Sequence, residues 1–207
     1  MVSISSATVE KALALVCGIA PDKRVAFRGR IKRFQRMQFP GGTNTGQGRT
    51  ALFSFNQFLK LLFAFELVQS GLSPSSAASV IEAHWSEMRM AAARTLIDDD
   101  SVEYDPMHFA DGNLVFGFQI DAMWSLTVDG PVNEDIPDYF GSFRVFSRAE
   151  LSQPFSDPKR SAAGTLSPWR VLLIDVRPLV WDVATEALRI AGFSATKKEL
   201  FDDLVRG

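Results

Sequence analysis

Along the N-terminal part of the chain, apolar residues recur at helical spacing in a series of stretches, each closed by a turn signal. Val9, Ala12, Leu13 and Val16 fall at i, i+3, i+4 and i+7, which predicts a short amphipathic helix over about Ala7 to Cys17, stopped by Gly18. Gly18-Ile19-Ala20-Pro21-Asp22 predicts a tight turn, with the Asp22 carboxylate capping the next helix. That second helix is predicted from Asp22 to about Met37. In it Phe27, Ile31 and Phe34 share a narrow arc suited to burial, and Arg24, Arg28, Lys32 and Arg36, spaced by four, form an adjacent stripe.

Phe39-Pro40-Gly41-Gly42-Thr43-Asn44-Thr45-Gly46-Gln47-Gly48-Arg49 is too rich in glycine and proline to continue as helix. It predicts a hairpin in which Phe39 pairs with Ala51-Leu52-Phe53 and a glycine-bearing tip offers its backbone amides to close approach. Ser54-x-x-Gln57 is a capping box ahead of Phe58, Leu61, Leu62, Phe65 and Val68, a scaffold helix that stops at Gly71. Ser73-Pro74 opens the next helix with a cap followed by proline, and Ala77, Ile81, Trp85 and Met88 mark its buried side.

Farther on, Asn113 to Thr127 and Phe143 to Phe146 are rich in β-branched and aromatic residues and predict strands, as does Arg170 to Val176. Ser152 to Pro168 predicts an exposed loop. Pro178 opens an amphipathic helix through Leu179, Val183, Ala187 and Ile190 toward Gly192, and a last helix spans Lys197 to Val205. The fold class expected is α+β, divided into a mostly helical domain over residues 1–96 and a small mixed α+β domain over residues 97–207 for dimerisation, ligand sensing or protein contact.

Composition is that of a chain with ample core: 46% of residues are hydrophobic and the mean hydropathy is +0.04. No apolar run reaches the roughly 18 residues of a membrane span, and the first residues lack the flank and cleavage site of a secretory signal. The expectation is a cytoplasmic, nucleoid-associated protein with no membrane partner.

Charge changes the picture, because it is unevenly spread. Residues 1–60 hold ten basic side chains (Lys11, Lys23, Arg24, Arg28, Arg30, Lys32, Arg33, Arg36, Arg49 and Lys60) against Glu10 and Asp22, while residues 61–207 hold 12 basic and 22 acidic ones. Between Lys23 and Lys60 there is no acid at all. A basic helix without alternating carboxylates is suited to a polyanion, and arginine is the preferred bidentate reader of guanine O6 and N7.

Candidate catalytic chemistry is sparse. Cys17 is the only cysteine, which excludes intramolecular disulfides and multi-thiolate metal sites, and it fits a small apolar residue at a helix end. His84 lies beside a buried seam with no second ligand at metal spacing. Asp98, Asp99, Asp100, Glu103, Asp105 and His108 have no regular spacing and are expected to be a solvated acidic linker. Phe116, Phe118, Trp124 and Trp169 are expected in the core rather than lining a ligand pocket. No nucleophile elbow, phosphate loop or zinc-protease motif occurs, so neither an enzyme nor a cofactor is expected.

The series of helix, Gly18-Ile19 turn, basic helix, Gly46-x-Gly48-Arg49, Phe53, then Phe58-x-x-Leu61-x-x-x-Phe65-Glu66-Leu67-x-x-x-Gly71-Leu72-Ser73 resembles the MerR-type winged helix. The resemblance covers about 80 of the 207 residues. It implies a second helix in the major groove and a wing whose arginine and first residues contact the backbone, and it assigns DNA roles to Arg24, Arg28, Lys32, Arg33 and Arg49. With charge and loop chemistry added, the candidate DNA-binding set is Lys23, Arg24, Arg28, Arg30, Lys32, Arg33, Arg36, Thr43, Asn44, Thr45, Gln47 and Arg49. The family's long dimerising helix is not matched, because Ile97-Asp98-Asp99-Asp100-Ser101 interrupts any heptad pattern.

The expected function is a sequence-specific transcription regulator on double-stranded DNA, acting as a homodimer, with RNA polymerase or another regulator as a further partner. The alternative in view is an architectural, excisionase-like accessory protein of a phage or mobile element. A module whose basic helix meets an acidic protein is a third.

Overall fold

The computed structural model describes residues 2–43, 51–96, 114–119, 143–147 and 171–206. In chain order these form β1 (Ile4–Ser5), α1 (Ser6–Val16), a one-turn 3₁₀ helix (Pro21–Lys23), α2 (Arg24–Arg36), β2 (Leu52–Phe53), α3 (Phe55–Gln69) and α4 (Pro74–Thr95). Next come β3 (Leu114–Gln119), β4 (Phe143–Ser147), β5 (Val171–Asp175), a π-helix (Pro178–Ala184), α5 (Thr185–Ile190) and α6 (Lys197–Arg206). Among the described residues, helices with two small antiparallel sheets make an α+β arrangement. The expected boundary after residue 96 opens onto residues outside those described.

Local chemistry accounts for the helix ends. Ser5 caps α1 by accepting the Thr8 N–H at 3.2 Å, and Ser73 caps α4 by accepting the Ser76 N–H at 3.1 Å. At α3 the predicted capping box is present in both directions: Ser54 Oγ accepts the Gln57 N–H at 3.1 Å and Gln57 Oε1 accepts the Ser54 N–H at 2.9 Å. Asp22 does not act as predicted. Among the described residues no side chain caps the start of α2, and the Asp22 carboxylate instead lies 3.2 Å from Lys23 Nζ. The reason is the 3₁₀ turn: Pro21 begins it one residue before Asp22, which puts the acid inside the first turn rather than ahead of it.

The ends of α1 and α2 show the same closure made by different residues. After α1, Gly18 takes φ +63° and the Ile19 N–H reaches Ala14 O at 2.8 Å. After α2 the left-handed position is Gln38, at φ +59°, and the Phe39 N–H reaches Phe34 O at 3.0 Å. A side chain is disfavoured there by about 1 kcal/mol. The accompanying apolar contact compensates, with the Phe34 and Phe39 rings 5.6 Å apart.

One contiguous hydrophobic cluster runs from Ile4 to Leu204. At its centre is α3, from which Phe65 packs 4.9 Å from Phe27 and edge-on to Phe34 at 5.3 Å, fixing α2 by its apolar arc. On another side of α3, Phe63 meets Phe116 of β3 edge-on at 5.2 Å. The sheet has the order β4-β3-β5, with Phe116 opposite Val145 and Ile174. Gly117 of β3 lies under the Phe146 ring, and a Cβ there would collide with it. Phe116 and Phe118 are core residues, as expected; Trp124 and Trp169 lie outside the described residues.

The final helices close back on the first ones. α5 packs on α1, where Lys11 Nζ donates to Ile190 O at 3.0 Å, and α6 packs on α3 and α4. Asp203 of α6, 5% exposed, accepts the Val2 N–H at 2.8 Å and the Phe55 N–H at 2.8 Å, so one carboxylate holds both β1 and the start of α3. The helical spacing after Pro178 predicts burial of Leu179, Val183, Ala187 and Ile190. Ala187 is buried and Leu179 partly so, but Val183 and Ile190 are exposed, and Val180, Ala184 and Leu188 are the further buried residues. Val180, Ala184, Ala187 and Leu188 stand at i, i+4, i+7 and i+8, a second apolar arc beside the predicted one, and it is this arc that enters the core.

Candidate nucleic-acid interface

α2 divides its surface sharply. Phe27, Ile31 and Phe34 are buried, and Arg28, Arg30, Lys32, Arg33 and Arg36 are exposed. At about 100° per residue, Arg28, Lys32 and Arg36 advance by about 40° each, and Arg33 lies about 60° beyond Arg36. Arg30 falls on the opposite shoulder, close to the buried arc. The cations therefore cover most of the outer surface, and only Arg28, Lys32, Arg33 and Arg36 share one outward face.

Arg24, expected to head the stripe, is half-buried, with a buried Nε that has no hydrogen-bond partner among the described residues. Lys23 ends the 3₁₀ turn and is exposed beside Asp22. Arg28 has an acidic partner that the α2 stretch itself does not contain. Its Nε lies 2.6 Å from Glu10 Oε2 and its Nη2 2.9 Å from Oε1, a bidentate pair across from α1. Glu10, first by this hydrogen bond and then by its charge, raises the Arg28 pKa further. Arg30, Lys32, Arg33 and Arg36 make no ion pair with any described residue.

The loop after α2 differs from the predicted hairpin. Phe39 is not a strand residue but a buried anchor, joined by a cis bond to Pro40, and β2 pairs with β1: Ile4 opposite Phe53 and Ser5 opposite Leu52. The physical reason is the apolar closure at the end of α2. Phe39 completes the closure of α2 against Phe34, so its backbone turns inward instead of running along β2. Thr43 is 1% exposed; its hydroxyl donates to Pro40 O at 2.8 Å and its carbonyl accepts from Gln35 Nε2 at 3.3 Å. It belongs to the loop's internal bonding rather than to a surface. Gln57 adds a tie from α3, its Nε2 donating to Gly41 O at 2.6 Å. Asn44, Thr45, Gln47 and Arg49, with Gly46 and Gly48, lie outside the described residues.

Sequence reasoning passed over the contacts of Glu10 and Gln35 and the second bond of Gln57, which join residues eight to eighteen positions apart, where helical periodicity carries no signal. Val25, which has no place on the apolar arc of α2, is 77% exposed.

The remaining titratable candidates are quiet. Burial, and secondarily the Glu66 charge, pushes the Cys17 thiol up to about 12, so it stays protonated and unreactive. Burial also raises the Glu66 carboxyl. The His84 ring lies tilted against Phe143 at 4.9 Å, and its Nδ1 is 3.4 Å from Glu87 Oε2, a position at the core's edge. Asp98, Asp99, Asp100, Glu103, Asp105 and His108 lie outside the described residues. Among the described residues no group of three or more His, Cys, Asp or Glu side chains has metal-site geometry, and no helix is long and apolar enough to cross a membrane. Comparison of the chain with protein-family models, with curated proteins and with solved structures finds no match.

Proposed function

We propose that this chain is a sequence-specific double-stranded DNA-binding regulator that uses a MerR-like winged helix-turn-helix, with α2 in the major groove and the glycine-rich segment 39–50 on the neighbouring backbone. The observation that carries the reading is the outward face of α2, where Lys32, Arg33 and Arg36 stand exposed with no ion pair to any described residue while the opposite side is fixed in the core. A helix held in the core by one arc presents the cationic side chains of its other face within reach of phosphate and base edge alike. The segment 39–43 supports it: its carbonyls are tied to Gln35 and Gln57, which anchors the base of the proposed wing between α2 and α3.

Binding is expected as a homodimer, because one short helix reads too few base pairs to select a genomic site. Selection of duplexes from a random pool by the full chain tests this function. An enriched motif with two half-sites is the expected result. Retention of all sequences alike would turn the reading to an architectural, excisionase-like protein, and failure to retain duplex would end it.

A further inference from the structure

Resting on that DNA-binding reading, we infer that Val25 is a specificity-determining residue that reads the 5-methyl group of thymine. Val25 is the most exposed of the large apolar side chains among the described residues, at 77%. It is the second residue of α2, and no part of the core accounts for it. At about 100° per residue, its direction along α2 coincides within about 20° with those of Lys32 and Arg36, and Arg28 and Arg33 flank it at about 60° and 80°. An apolar side chain thus heads a ridge made otherwise of cations.

The ligand chemistry is set by that company. Cations at this density face phosphates, and between the phosphates the major groove offers hydrogen-bond donors, acceptors and a single apolar group, the thymine methyl. Gly29, one turn after Val25, makes room for the approach. A Cβ there would meet nothing within 4 Å, so no internal contact requires a glycine, a residue unfavourable within a helix. Its absent side chain leaves the helix backbone free to come close to the groove floor beside Val25.

The test uses the full chain and the duplex it selects from a random pool, with each thymine replaced in turn by deoxyuridine, which lacks only the methyl group. At one thymine per half-site the wild type is expected to lose about fourfold in affinity, the value of one buried methyl. Val25→Ala is expected to bind that duplex with no preference between the two bases, and circular dichroism checks that it folds as the wild type does. Binding that is indifferent to deoxyuridine at every position, a selected motif without thymine, or a preference that survives in Val25→Ala overturns the inference while leaving DNA binding intact. Absence of any duplex binding overturns both.

Discussion

α2 and α3 lie in contact and are of similar length, yet they divide their surfaces in opposite ways. α3 buries ten of its fifteen residues, on all sides, whereas α2 buries three of thirteen. A helix surrounded by apolar neighbours is part of the core's own stability. One attached by a single arc leaves the rest of its circumference free for another purpose, and in α2 that remainder carries cations. Changes in α3 should therefore act on folding, and changes on the outer face of α2 on binding with the fold intact.

The largest expected effect is at the joint between them. Phe65→Ala removes the ring that holds both Phe27 and Phe34, and it should lower unfolding free energy by about 3–5 kcal/mol in denaturant titration. A loss near zero would mean that α2 is not held by this contact.

Next is the clamp under α3. Asp203→Ala leaves the Val2 and Phe55 N–H groups without their acceptor, at an expected cost of about 1–3 kcal/mol, and amide exchange should quicken at the start of α3 and in β1. Unchanged protection there would contradict the clamp.

A smaller change sharpens the contrast from the other side. Glu10→Gln frees Arg28 and removes a negative charge facing it, so duplex affinity should rise a few-fold with thermal stability nearly unchanged. A fall in affinity would place Glu10 in a supporting role for Arg28 instead.

Smallest is the pH effect of Glu66. Its folded-state pKa is raised by burial, so ionisation opposes folding: the penalty is complete above that raised value and vanishes as pH falls below the ordinary 4.5. Glu66→Gln should therefore melt higher than wild type at pH 7, with the difference gone near pH 4. A difference that persists in acid would assign the effect to packing.

What was legible in the sequence was whatever depends on neighbours in the chain. Helical spacing located α1 to α4, and Ser54-x-x-Gln57 and Ser73-Pro74 marked their starts, because a cap bonds residues two or three away. The buried arc Phe27, Ile31 and Phe34 was legible for the same reason. Pairing of β2 with β1 was not, since Phe39 and Ile4 both suit a strand opposite Phe53 and only packing decides between them. Nor was the Glu10–Arg28 pair, whose members stand eighteen residues apart. The stripe of four cations was right for Arg28, Lys32 and Arg36, but Arg24 is half-buried because its direction along α2 lies about 20° from that of the buried Ile31.

The salt dependence of duplex binding by the full chain, beside the double variant Lys32→Ala, Arg36→Ala, tests the central claim most directly. With five or six phosphates contacted, the log-log slope of affinity against salt should be about −5 for the wild type and shallower by about 2 in the variant, with both proteins equally folded. A slope that is flat, or the same in both, would contradict the placement of the outer face of α2 on DNA.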